Sequence, residues 1–137
     1  NRLYEGVIQL LKRLKDAGMT VAMATSKPEK YAVQIAEHFG IAEYFDFIGG
    51  ALMDGRRTEK QEVIEYVLTS CGVEDRSTVI MVGDRRYDIE GAKRAGLHSL
   101  AVLYGYGSRE ELEKAGPDYI AATPEEAGEI LLGKNRL

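Results

Sequence analysis

Residues 78–88 read Thr78-Val79-Ile80-Met81-Val82-Gly83-Asp84-Arg85-Arg86-Tyr87-Asp88, and this stretch decides the fold. Thr78 to Val82 is an apolar run of strand length, the clearest buried strand in the chain. Gly83 permits a tight turn with close backbone approach. Asp84 then sits at the strand tip, and Asp88 lies near the start of a helix that runs from about Tyr87 to Ala95 and ends at Gly96. A buried strand leading through a glycine turn into a helix is one step of an alternating α/β chain.

The flanking sequence repeats that alternation. Upstream, Glu5 to Ala17 places Val7, Leu10, Leu11 and Leu14 on one helical face and stops at Gly18. Thr20 to Ala24 has strand length, and Pro28 suits the first turn of a helix reaching Phe39 and Gly40. Phe45 to Ile48 is a second short strand, and Thr58 is a plausible N-cap for a helix through Leu68 that closes at Gly72. Downstream, Ser99 to Leu103 forms a strand, Ser108 caps a helix through Lys114, Asp118 to Ala121 forms a last strand, and Thr123-Pro124 opens a final helix. Near-continuously apolar strands imply a mainly parallel sheet covered on both faces. The expected architecture is one α/β domain over residues 1–137.

Composition bounds the function. The chain has 137 residues, 45% apolar and 29% charged, an ordinary globular balance. A net charge of -4 argues against a broad nucleic-acid-binding face. One cysteine, Cys71, excludes an internal disulfide and suggests a reducing, cytoplasmic setting. No apolar run reaches the length of a membrane span, and no signal peptide is read.

In open α/β sheets ligands bind at the carboxyl ends of strands, so chemistry is sought there. After the first strand, the Thr25 hydroxyl and the backbone N–H groups of Ser26 and Lys27 suit an anion at a helix N-terminus; simple helix capping explains the same residues. Asp84 and Asp88 can aim two hard carboxylates at one magnesium ion; alternatively one caps the helix while the other pairs with Arg85 or Arg86. Lys60 lies at a helix start, where a cation opposes the helix dipole; it is either functional or a solvated surface lysine.

The order of these features is more specific than any one of them. Thr25 in MATSKP resembles the second motif of the haloacid dehalogenase (HAD) superfamily, Lys60 in RRTEKQEVI its third, and Asp84 with Asp88 in VIMVGDRRYDIEGAKRAG its fourth. The segments LYGYGS at 103–108 and AGPDYI at 115–120 look like the phosphoglycolate-phosphatase-like branch. The resemblance implies a three-layer Rossmann-like fold and hydrolysis of the phosphate monoester of a small phosphorylated metabolite, with an aspartyl-phosphate intermediate. Carried over, Thr25 hydrogen-bonds a phosphoryl oxygen with help from Ser26, Lys60 neutralises phosphoryl charge, and Asp84 and Asp88 hold Mg2+. All four residues are expected to converge at one sheet edge.

One departure bears on activity. The first motif of that family, an Asp-x-Asp after its first strand, is absent: Asp46 is followed by Phe47-Ile48 and Asp54 by Gly55-Arg56. Most or all of the usual cap is absent too. The chain is therefore expected to be a fragment without turnover of its own. A non-catalytic phosphate- or magnesium-binding relative is the alternative. A receiver domain fits poorly, because there the lysine follows the acidic residues. Without the first strand, the Thr20–Ala24 and Thr78–Val82 strands are expected to pair directly.

Overall fold

The computed structural model describes residues 1–133, so the last four residues of the expected domain lie outside the described residues. The described chain contains six helices and five strands in the alternating order expected from the sequence. It forms two compact units: residues 19–74, and residues 1–18 together with 75 onward.

The unit of residues 19–74 contains β1 (Ala22–Pro28), α2 (Glu29–His38), β2 (Phe47–Ala51) and α3 (Lys60–Ser70). β1 and β2 are parallel, with Ala22, Met23 and Ala24 opposite Phe47, Ile48 and Gly49. The next pair is Pro28 with Ala51, so Thr25, Ser26 and Lys27 leave the regular ladder as an irregularity in β1. Pro28 stands at the N-cap position of α2, one residue before the expected site. α3 is capped by Glu59 instead of Thr58, because Glu62 at the third helical position accepts the Glu59 N–H (3.1 Å). A Cβ on Gly49 would meet Val67 Cγ2 at 2.5 Å, so α3 presses directly on this strand residue.

The other unit contains α1 (Arg2–Asp16), β3 (Ile80–Gly83), α4 (Arg86–Arg94), β4 (His98–Val102), α5 (Arg109–Ala115), β5 (Tyr119–Ala121) and α6 (Pro124–Leu131). α1 buries Leu10, Leu11 and Leu14 and ties to α6 through an Arg13–Glu129 ion pair (3.4 Å). The strands are all parallel in the order β3-β4-β5. The central strand is sealed, with Leu100 and Ala101 fully buried. Ser99, which is buried, and Asp118, which is exposed, bond reciprocally: Ser99 N donates to Asp118 Oδ2 (2.8 Å) and Asp118 N donates to Ser99 Oγ (3.2 Å). Ile89, Ala101 and Leu112 form a fully buried cluster joining α4, β4 and α5, with Leu103, Ala115 and Ile120 against it.

β1 pairs with β2 in its own unit, and β3 with β4 in the other. β3 is not the best-buried strand: Val82 is 36% exposed, whereas Leu100 and Ala101 of β4 are fully buried. β3 stands at the edge of the order β3-β4-β5, and an apolar run does not by itself make a strand central.

Leu112→Ala is expected to lower the unfolding free energy by about 2–5 kcal/mol in urea titrations. Leu3→Ala, at a 42% exposed position, should fall within about 0.5 kcal/mol of the wild type.

Candidate functional site

Leaving the ladder after Ala24 turns β1 into a loop. Thr25 Oγ1 accepts the Lys27 N–H (3.2 Å), so that amide is turned onto the threonine of its own loop and not outward as an anion donor. Thr25 is half-buried and Ser26 is exposed. Lys60, the first residue of α3, donates from Nζ to the Ala24 carbonyl (2.7 Å). An ammonium group from a residue 36 positions away is thus fixed at the carboxyl end of β1, next to Thr25. Thr25 and Lys60 are brought together as expected.

Sequence reasoning missed what shapes this loop. Arg57 has φ 53°, the one non-glycine residue with positive φ among the described residues. Its Nε donates to Gly50 O (2.8 Å), its Nη2 lies 3.4 Å from Glu29 Oε1, and its guanidinium sits 3.6 Å over the Tyr66 ring. Glu29 Oε1 also accepts the Gly50 N–H (3.2 Å). One side chain therefore ties the end of β2, the first turn of α2 and the body of α3 together. Gly50 has no room for a Cβ, which would lie 2.7 Å from both Lys27 O and Glu29 Cα. The Gly-Gly pair hints at close approach; nothing local reveals that Arg57 would stack on Tyr66.

The two aspartates meet in the other unit. Asp88, 8% exposed in the first turn of α4, accepts the N–H groups of Asp84 (3.1 Å) and Arg85 (3.2 Å) at Oδ2. Gly83 is obligatory, since a Cβ there would fall 2.1 Å from Asp88 Cβ. The loop between β4 and α5 then fixes Asp84. Tyr106 N donates to Asp84 Oδ2 and Gly107 N donates to Asp84 O, both at 2.9 Å. A Cβ on Gly105 would lie 2.3 Å from Asp84 Oδ2, and one on Gly107 2.2 Å from Asp84 O. The sequence marks this YGYG segment only as a branch signature; its glycines make room for the aspartate.

Neither intervening arginine is ion-paired with Asp84 among the described residues. Arg85 Nε donates to Glu111 Oε2 (2.9 Å), and the same oxygen accepts the Arg86 N–H (2.9 Å). The guanidinium groups of Arg85 and Arg86 lie 5.4 and 5.0 Å from the Tyr87 ring. The Arg85 hydrogen bond, with the Arg86 backbone, holds the Glu111 carboxyl below its usual range. The pair therefore contributes above the ordinary carboxylate range and fades as pH falls through the lowered value. Nearby Tyr104 is half-buried; desolvation, then the charges of Glu125 and Asp84, push its phenol up to about 12.

Among the described residues no cluster of three metal-ligating side chains forms. Asp84 and Asp88 offer a smaller donor set: two carboxylates on one short loop, each with Oδ2 engaged by backbone N–H groups. One or two carboxylates, completed by water and phosphate oxygens, are what magnesium commonly takes. The residues fit that ion.

The model of the haloacid dehalogenase-like hydrolase family matches residues 1–102. The chain belongs to that family. A 5'-nucleotidase of Pseudomonas aeruginosa is 40% identical over 122 residues, which is 89% of this chain and 55% of that protein. The tyrosine-protein kinase PtkA of Mycobacterium tuberculosis is 38% identical over 134 residues, 96% of this chain and 45% of that protein. A phosphoglycolate phosphatase of Vibrio parahaemolyticus is 34% identical over 132 residues, 96% of this chain and 57% of that one. The crystal structure of a predicted phosphatase from Clostridium acetobutylicum superposes with a TM-score of 0.88 at 43% identity, covering 94% of this chain and 59% of that one. The fold is thus Rossmann-like and HAD-like. The chain spans about half the length of the curated relatives it matches.

Arg57→Ala is expected to cost about 1–3 kcal/mol of stability through loss of its charged hydrogen bonds. Arg57→Gly should cost about 1 kcal/mol less than Arg57→Ala, because glycine carries no penalty at this φ. Urea titration of both variants checks the order.

Proposed function

We propose that residues 1–137 belong to the core domain of a magnesium-dependent phosphatase acting on a small phosphorylated metabolite in the cytoplasm. The observation that carries this reading is the Lys60 ammonium held at Ala24 O beside the Thr25 hydroxyl. That pairing supplies a cation and a hydrogen-bond donor at one strand end, which suits a phosphoryl group. In this reading Thr25 Oγ1 donates to a phosphoryl oxygen, with Ser26 alongside. Lys60 neutralises charge on the transferring group. Asp84 and Asp88 hold magnesium, which when bound screens the phosphate charge. The attacking aspartate, which forms the aspartyl-phosphate, comes from outside these 137 residues.

The family membership and the similarity to a 5'-nucleotidase and a phosphoglycolate phosphatase support phosphate ester chemistry. No helix among the described residues is long and apolar enough to cross a membrane. One observation favours a second reading, a non-catalytic domain that binds phosphate or magnesium: no Asp-x-Asp occurs anywhere in the chain.

Hydrolysis of p-nitrophenyl phosphate separates the two. The full-length protein is expected to turn over with magnesium, to stop when the metal is chelated, and to lose about 100-fold or more in kcat/KM on Lys60→Ala. The 137-residue chain should show no turnover. Robust hydrolysis by the chain that Lys60→Ala abolishes would show that the nucleophile lies within it. A full-length protein inert with and without magnesium would favour the non-catalytic reading.

A further inference from the structure

The sequence puts two arginines between the two aspartates of GDRRYD. An arginine one residue from a carboxylate is that carboxylate's readiest partner, and an aspartate neutralised by arginine is a poor ligand for a cation. The observed structure avoids this pairing. The Arg85 guanidinium is held by Glu111 Oε2 at 2.9 Å, from a different element, α5.

The position of Glu111 is set by the same loop that sets Asp84. Tyr106 N and Gly107 N bind Asp84, and Ser108 then caps α5, its Oγ accepting the Glu111 N–H (3.1 Å). Glu111 is the third residue of α5, so its carboxylate returns towards the start of α4 and also takes the Arg86 N–H at 2.9 Å. The six-residue loop 103–108 thus delivers backbone donors to Asp84 and leads into the helix that supplies a counter-charge to Arg85.

From this arrangement we infer that Glu111 is a positioning residue for the metal site: it holds Arg85 on itself and so keeps that guanidinium off the Asp84 carboxylate. The inference rests on the proposed magnesium role of the two aspartates. Glu111 touches neither metal nor substrate; it acts through Arg85. An exposed surface ion pair or a helix cap would leave metal affinity unchanged on neutralisation, and that difference makes the idea testable.

Mg2+ alone is titrated calorimetrically into the 137-residue chain at low ionic strength, where exposed charges are least screened. The proteins are wild type, Asp84→Asn, Glu111→Gln, and the double variant Arg85→Gln/Glu111→Gln. Glutamine keeps an acceptor for the Arg86 N–H, so the α4 start is retained. Glu111→Gln is expected to weaken Mg2+ binding about fivefold, the scale of one partly exposed ion pair. The double variant should return to the wild-type affinity, because the competing cation is gone. Binding by Glu111→Gln equal to wild type, with Asp84→Asn defective, overturns the inference and leaves the metal site standing. Equal weakening in Glu111→Gln and the double variant overturns it too, since Arg85 would then not be the intermediary. If wild type and Asp84→Asn bind alike, the metal reading fails and this inference falls with it.

Discussion

A carboxylate that leaves water must be repaid in hydrogen bonds, and the burial of Asp88 sets the terms for the loop around it. Its Oδ2 takes the two amide hydrogens at the turn from β3 to α4, those of Asp84 and Arg85. That geometry requires the carboxylate to lie flat against Gly83, where any side chain would collide. With the turn closed in this way, the Asp84 side chain is aimed at the β4–α5 loop and meets the Tyr106 N–H. The second loop in turn has glycines at 105 and 107 because Asp84 occupies the space their side chains would need. One buried carboxylate therefore accounts for three glycines, for the direction of Asp84 and, through Ser108, for the start of α5.

Both candidate ligand sites handle guanidinium charge the same way. In the unit of residues 19–74, Arg57 is tied to Glu29 and Gly50 and stacked on Tyr66. In the other unit, Arg85 is tied to Glu111. Arginine, always charged and with a planar fork of donors, serves here as a brace between elements. Lys60 is the cation placed at the carboxyl end of β1, at the start of a helix whose dipole it opposes.

The sequence made the order of elements legible because each boundary carried its own chemistry. Ser108 and Thr123 cap their helices as expected, and Gly96 and Gly116 adopt left-handed φ where helices stop. The helix start at residues 58–60 was misplaced by one because two acceptable caps compete there, and only the reach of Glu62 decides between them. Strand exposure was misjudged for a different reason. TVIMV is apolar enough for a central strand, yet whether a strand is central depends on its neighbours, which no local pattern encodes. Of the candidate site, Lys60 Nζ reaches the carbonyl next to Thr25, and Asp88 Oδ2 accepts the Asp84 N–H. The braces were not legible. Arg57 and Glu111 act on partners in other elements, and an isolated arginine or a first-turn glutamate has an ordinary surface explanation.

The central claim is that the turn carrying Asp84 and Asp88 takes a divalent cation. Paramagnetic broadening by Mn2+ in the presence of inorganic phosphate tests it most directly, read on assigned amide resonances of the isotope-labelled chain. The account predicts that substoichiometric Mn2+ broadens Asp84, Arg85 and Tyr106 first. Broadening centred on other acidic residues such as Glu125 and Glu126, with Asp84 and its neighbours sharp, would contradict it.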